Sequence, residues 1–290
     1  MGVVLMSKSI TTLVPDIKKV LTSPAAPSEE SVKDLAERLA KTIASKLGDK
    51  GGNDRLRMSN YAMPDRKLWY TVNTPEDAEP FSPEARLNFL YGAILEDVML
   101  FLAKEAGHEV SNEQQEVKLH DVTGHLDAII DGVVVDVKSA NSRSFDKFKY
   151  HRLDSDDPFG YRDQLSLYLA AVQGSPDLTV KKQASFLAVD KERGQLILDT
   201  YNAKDVDYEK ETIRKRQMLS EPQPPNRCYF PVPDGKSGNM RLGVECSYCP
   251  FRKKCWPEAR TFLYSDGPRH LTKIEREPNV EELRHEKNST

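Results

Sequence analysis

Apolar residues recur along this chain with two different periods. Over residues 28–47, Val32, Leu35, Leu39, Ile43 and Leu47 come at steps of three and four, which predicts a helix with one apolar stripe that stops at Gly48. Residues 9–22 read the same way, SPAAPSEE links the two as a capped linker, and GDKGGND at 48–54 reads as a mobile break. A longer helix is predicted over 83–106, with Ser82 as N-cap, Pro83 at the first helical position and Gly107 just past the end. From about residue 113 the period falls to two. EQQEVKLHDV, GHLDAIID and GVVVDVKSA read as three strands, the last two joined at Asp131-Gly132, a dipeptide suited to a tight hairpin turn. YRDQLSLYLAAVQ then predicts a helix over 161–173, QASFLAVD and QLILDTY two strands joined by KERG, and a charged helix covers about 205–219. EPQPPNRCYFPVPDGKSGN, with five prolines, reads as an irregular extended segment, and residues 257–290 as a charged, weakly patterned tail.

Composition narrows the class. With 290 residues, 38% hydrophobic and 30% charged, the chain can bury a core and has the length of roughly two domains. It contains no apolar run of about 18 residues, and the start, MGVVLMSKSITT, is too short in apolar residues for a signal peptide. No membrane span is expected, and the expected location is the cytoplasm. The near balance of 42 basic and 45 acidic residues gives no global pull toward nucleic acid, so any polyanion binding must come from local patches. The 4 cysteines all lie between Cys228 and Cys255, too few for a disulfide scaffold and placed for a local site in a reducing compartment.

A two-residue turn at Asp131-Gly132 sets Asp127 opposite Asp136 and His125 opposite Lys138, all on one strand face, while Val133, Val135 and Val137 take the other. The valine face is then the core side and the ionisable face the wet one. Carboxylates directly opposite one another repel. Solvated aspartates on the outside of a sheet are the plain alternative, but four ionisable residues in register against valine favour a cation site. Asp127 and Asp136 offer hard oxygens suited to Mg²⁺ or Mn²⁺, and Lys138 returns to the same face, where it can hold an attacking water or a phosphate. The long helix offers a third carboxylate, Glu96, with Gly92 one turn before it leaving room for close approach; Asp97 is its rival.

Cys246-x2-Cys249-x5-Cys255, with Cys228 upstream, brings four thiolates within reach of one metal, as a tetrahedral site or a cubane, whereas unrelated core cysteines would be scattered. After Lys138, SANSRSFDKFKYHR interleaves Arg143, Lys147, Lys149, His151 and Arg152 with Phe145, Phe148 and Tyr150, a combination suited to phosphates and unpaired bases. The loop LDSDDPFG at 153–160 is placed to move over a cleft; IRKR at 213–216 and FRKK at 251–254 are weaker basic patches.

In order, GAILE on a helix, GHLD on a strand, DVK on the next strand and QLSLY on the following helix resemble the PD-(D/E)XK nuclease superfamily. Within it they resemble the RecB-like branch, which includes CRISPR adaptation nucleases and many bacteriophage exonucleases. The resemblance covers about residues 57–256. It implies an α/β, restriction-endonuclease-like core, a mixed central sheet flanked by helices, with Mg²⁺ or Mn²⁺ held by Glu96, Asp127, Asp136 and the carbonyl of Val137. Lys138 then orients the attacking water, and Gln164 and Tyr168 match the branch's Q-x-x-x-Y motif, which helps position the site and DNA. Many relatives carry a histidine where this chain has Glu96, which leaves His125 either an outer-shell ligand or simply the neighbour of Lys138. SNYAMPDRKLWY resembles the segment preceding the core, where relatives place a cysteine before an arginine. Here Met63 stands near that place, and Arg66 reads either as a DNA phosphate contact or as a surface arginine. The C-terminal cysteines resemble the branch's iron–sulfur staple, with Cys228 replacing the absent N-terminal cysteine. A [4Fe-4S] cluster is favoured on that ground, and structural Zn²⁺ fits the same thiolates.

The organisation expected is an N-terminal helical arm over 1–54, the nuclease core over 55–220, and over 221–290 a metal-stapled C-terminal subdomain with the charged tail. The function implied is a metal-dependent deoxyribonuclease leaving 5′-phosphates, an exonuclease on single strands or duplex ends in replication, recombination or repair of bacterial or phage DNA, with possible protein partners from those processes. A non-catalytic DNA-binding or assembly protein of the same fold is the first alternative, and intact Asp127, Asp136 and Lys138 speak against it. A metal-cluster redox or interaction module is the second.

Overall fold

The computed structural model describes residues 8–48 and 55–283; of the break expected at 48–54, all but Gly48 lies outside them. The chain divides into two compact units. Among the described residues the first takes in 8–48, 56–62 and 82–214, and the second 55, 63–81 and 215–283. The helices expected as a separate arm therefore belong with the core: Leu13 and Ile17 of the Leu13–Thr22 helix are fully buried against Leu100 and Ala103. The division from the second unit falls inside the Tyr208–Ser220 helix.

The strands of the first unit are β1 (Val110–Ser111), β2 (Gln115–Leu119), β3 (Val122–Leu126), β4 (Ala128–Ile130), β5 (Val133–Ala140), β6 (Gln183–Asp190) and β7 (Leu196–Asn202). Five of them form one sheet in the order β1-β4-β5-β6-β7, parallel between β5 and β6 and antiparallel elsewhere. A parallel neighbour needs a crossover, and here it carries the helices Ser142–Lys149 and Tyr161–Ala171. They cover one sheet face, where Phe145, Phe148, Leu165 and Tyr168 meet Val134, Phe186 and Ala188. The Pro83–Glu105 and Leu13–Thr22 helices supply the core on the other face, with Val135, Val137, Leu187 and Val189. This is a mixed α/β unit with a central mixed sheet, consistent with a restriction-endonuclease-like core. No helix among the described residues is long and apolar enough to cross a membrane.

The turn forms as the dipeptide predicts. Asp131 and Gly132 both take positive φ, 47° and 78°, and pair Ala128 with Val135, Ile129 with Val134 and Ile130 with Val133. Two expectations around it are corrected. Both faces of β5 are covered, so the face of Asp136 is not wet: a strand central to a sheet with a parallel crossover is sandwiched by helices. The strand read over GHLDAIID also breaks at Asp127. Its first half, β3, pairs with β2 through a turn at His120 and Asp121, and only its second half, β4, pairs with β5.

In the second unit, β8 (Val232–Pro233), β9 (Met240–Arg241), β10 (Arg260–Tyr264) and β11 (Gly267–Lys273) form a sheet in the order β10-β11-β9-β8. The expected weakly patterned tail is thus, over 260–273, an antiparallel hairpin whose Phe262 and Leu271 are each 1% exposed. Its apolar signal is short and flanked by paired charges, Arg260 with Glu277 and Glu282 and Arg269 with Asp266. Trp69, Tyr70 and Phe251 make the nearby core, the last two rings stacked at 5.4 Å.

Candidate active site

Asp136 and Lys138, two apart on β5, point to the same side. Asp136 is 2% exposed, and Lys138 Nζ lies 2.6 Å from its Oδ2, a close ion pair at the buried carboxylate. Nζ also sits 5.1 Å from the centroid of the Tyr161 ring. Burial works against the ammonium charge, but Asp136 and Asp127 outweigh it and hold the Lys138 pKa above its ordinary value. Lys138 is therefore a fixed, permanently charged group.

Asp127 occupies the break between β3 and β4. Its Oδ2 accepts the Val137 N–H at 2.8 Å, and its carbonyl accepts the Gln114 N–H at 3.2 Å, which ties the break to β5 and to the start of β2. Burial pushes the Asp127 carboxyl well above the usual carboxylate range, and the charges of Asp136 and Glu96 push it further. Glu96, on the Pro83–Glu105 helix, accepts a hydrogen bond from the Gln114 side chain; burial, then the charge of Asp136, raise it to about 7. Its rival Asp97 faces elsewhere, 4% exposed and accepting the Thr42 hydroxyl at 2.6 Å. Gly92 lines the cavity beside Glu96, and a Cβ there would make ordinary contact with Ser139 Oγ at 3.4 Å. Gln164 donates to the Tyr168 hydroxyl at 3.3 Å, and burial, then the charge of Asp136, raise Tyr168 to about 12.

These groups adjoin a cavity of about 670 Å³ whose lining includes Glu96, Val137, Lys138, Tyr161, Lys46 and Lys191. Of the expected DNA contacts, Lys147 lines it and pairs with Asp156 at 2.8 Å, whereas Arg143, Lys149 and Arg152 do not line it. The stacking expected of Phe145 and Phe148 is corrected: both rings are core, 2% and 3% exposed, because the Ser142–Lys149 helix turns that face to the sheet. His125 is corrected too. It is exposed on β3, opposite Glu116 rather than Lys138, because the strand breaks at Asp127. Sequence reading missed Tyr161, Gln114, Lys46 and Lys191; only Tyr161 left a signal, standing seven residues before Tyr168 and so on the same helix face.

In the second unit, Cys228, Cys246, Cys249 and Cys255 border one cavity of about 30 Å³. Burial raises Cys246 to about 11 and lifts Cys249 as well. Arg66 is not a free phosphate contact: its Nε donates to Cys255 Sγ at 3.3 Å, one terminal nitrogen to the Tyr70 hydroxyl at 3.1 Å and the other to the Pro225 carbonyl. It braces the cysteine cavity from within its own unit.

Among the described residues no three His, Cys, Asp or Glu side chains stand in a metal-holding arrangement. The donor sets nonetheless fit metals of two kinds. Glu96 and Asp127, whose proton affinity is raised by the charge of the buried Asp136 beside them, together with Asp136 suit a hard divalent cation, and four thiols on one cavity suit a thiophilic one.

Comparison with known proteins agrees with the fold class. The chain belongs to the PD-(D/E)XK nuclease superfamily, whose family model matches residues 21–256. No curated protein matches it. Among solved structures, SSO0001 is similar at 16% identity over 76% of this chain and 93% of its own, with a TM-score of 0.38, a likeness too small to argue from.

Proposed function

We propose that the first unit is a divalent-metal-dependent DNA nuclease of the RecB-like branch, working as an exonuclease on single strands or duplex ends in replication, recombination or repair. The observation that carries this reading is the grouping of Glu96, Asp127 and Asp136 around Lys138, where the charge of Asp136 disfavours ionisation of both other carboxylates, beside a cavity lined by Glu96, Val137 and Lys138. Glu96, Asp127, Asp136 and the Val137 carbonyl would hold Mg²⁺ or Mn²⁺, which when bound supplies Lewis acidity toward a phosphate and a water. The chain's own groups do the rest. Lys138, anchored by Asp136 and the Tyr161 ring, presents a positive charge that orients a water and offsets negative charge developing on the phosphate. Tyr168, held protonated and bound by Gln164, keeps a neutral, ordered wall beside the carboxylates. In the second unit, Cys228, Cys246, Cys249 and Cys255 would hold a [4Fe-4S] cluster, or Zn²⁺, that clamps the proline-rich segment.

The test is incubation with end-labelled single- and double-stranded DNA in Mg²⁺, Mn²⁺ or EDTA. Shortening from an end in either metal and none in EDTA is expected; no metal-dependent cleavage of any substrate contradicts the reading.

A further inference from the structure

Phe159 lines the 670 Å³ cavity and is 65% exposed. A ring this bare is ordinarily explained by a loose loop, but this loop is pinned. Asp157 caps the Tyr161–Ala171 helix, its two oxygens accepting the Tyr161 and Arg162 N–H groups at 2.9 and 2.8 Å. Gly160 takes φ +71°, and a Cβ there would come 2.4 Å from the Ala62 Cβ, so the turn after Phe159 is closely packed. The ring is therefore held out toward the cavity by a built turn. Its centroid lies 5.5 Å from that of Tyr161, whose own ring carries the Lys138 ammonium at 5.1 Å. A line of groups thus runs from the reacting centre, through Tyr161, to an exposed aromatic face.

The charges on the lining complete the pattern. Lys138 and Lys147 are matched by Asp136 and Asp156, whereas Lys191 is held by the neutral Asn88 amide oxygen at 2.7 Å and has no ion-pair partner among the described residues; Lys46 joins it on the lining. We infer that Phe159 stacks on a nucleobase of an unpaired DNA strand end drawn into this cavity, with Lys46 and Lys191 taking its phosphates. The inference rests on the nuclease reading above and adds how the strand is gripped. A paired base keeps its faces in the duplex stack, and the cavity falls in the size range that encloses a small ligand, so it takes a nucleotide or two rather than a double helix.

The test is binding of short, fluorescently labelled single strands, read by anisotropy in EDTA so that nothing is cut, with an abasic nucleotide moved one position at a time from the end. In the wild-type protein one position should lose about tenfold or more in affinity when its base is removed, the usual worth of one stacked base. Phe159→Ala should bind the intact strand more weakly by a similar factor and lose its sensitivity to the abasic position, while Phe159→Trp should recover both. An unchanged melting temperature for Phe159→Ala, expected of so exposed a ring, shows that the loss is not unfolding. Sensitivity to the abasic position that persists in Phe159→Ala, or no sensitive position at all, overturns the inference. If the wild-type protein shows neither pattern yet cuts DNA with Mg²⁺, the stacking inference alone falls; if it neither binds nor cuts DNA, the nuclease reading falls with it.

Discussion

At Asp127, burial, the charge of Asp136 and that of Glu96 all disfavour ionisation and outweigh the charge of Lys138 and one hydrogen bond from the Val137 N–H. Asn at this position can still accept that N–H but carries no charge. Asp127→Asn should therefore melt at the same or a higher temperature than wild type in EDTA, and the order should reverse in saturating Mg²⁺, where wild type gains binding free energy that the variant lacks. An equal gain for both proteins in Mg²⁺ excludes Asp127 as a ligand. Glu96 makes a pH-dependent counterpart. Its folded pKa of about 7 lies above the ordinary 4.5, so the folded chain holds the proton more tightly than the unfolded one. The contribution of Glu96 to the stability of the metal-free protein then falls as pH rises from about 4.5 to about 7 and is flat beyond. The melting temperature of Glu96→Gln minus that of wild type, measured in EDTA from pH 5 to 8, should grow with pH; a constant difference rules the perturbation out. The register of the hairpin, Ala128 with Val135 onward to the turn, was legible because Asp131-Gly132 sets it from two residues. The place of His125 was not, because nothing in GHLD marks the change of partner at Asp127.

Among the elements, β5 was legible as a strand but misread in its surroundings. Alternation predicts one wet face, yet Val133, Val134 and Val135 are three consecutive apolar residues, the mark of a strand covered on both sides. The Leu13–Thr22 helix reads as a separate arm for a related reason, since periodicity shows that a helix has an apolar stripe and not what covers it. Leu13 and Ile17 are at 0% exposure, so Leu13→Ala should cost about 2–5 kcal/mol in urea unfolding, as core truncations do. A cost below about 1 kcal/mol would mean that the helix is indeed peripheral. The β10–β11 hairpin escaped notice because its buried residues are few and separated by charges that pair with one another.

For the whole molecule, the family match over residues 21–256 spans the carboxylate site and the cysteines. The thiols were legible as a group from spacing, while their bracing by Arg66 was not, because a contact between residues 66 and 255 leaves no trace in local pattern. Cys249→Ser should lower the melting temperature and release whatever metal the purified protein carries; metal analysis of both proteins checks this, and a wild-type protein free of iron and zinc as purified would contradict it. The carboxylate–lysine site is tested most directly by cleavage of one labelled strand in Mg²⁺ by wild type, Asp136→Asn and Lys138→Met. Because Asp136 and Lys138 form a buried ion pair, removing either charge leaves the other unmatched, so melting curves must accompany the rates. The expected result is a loss of cleavage by a factor of order 10² or more in each variant at a temperature where both remain folded. A folded variant that cuts at the wild-type rate would show that the reaction takes place elsewhere.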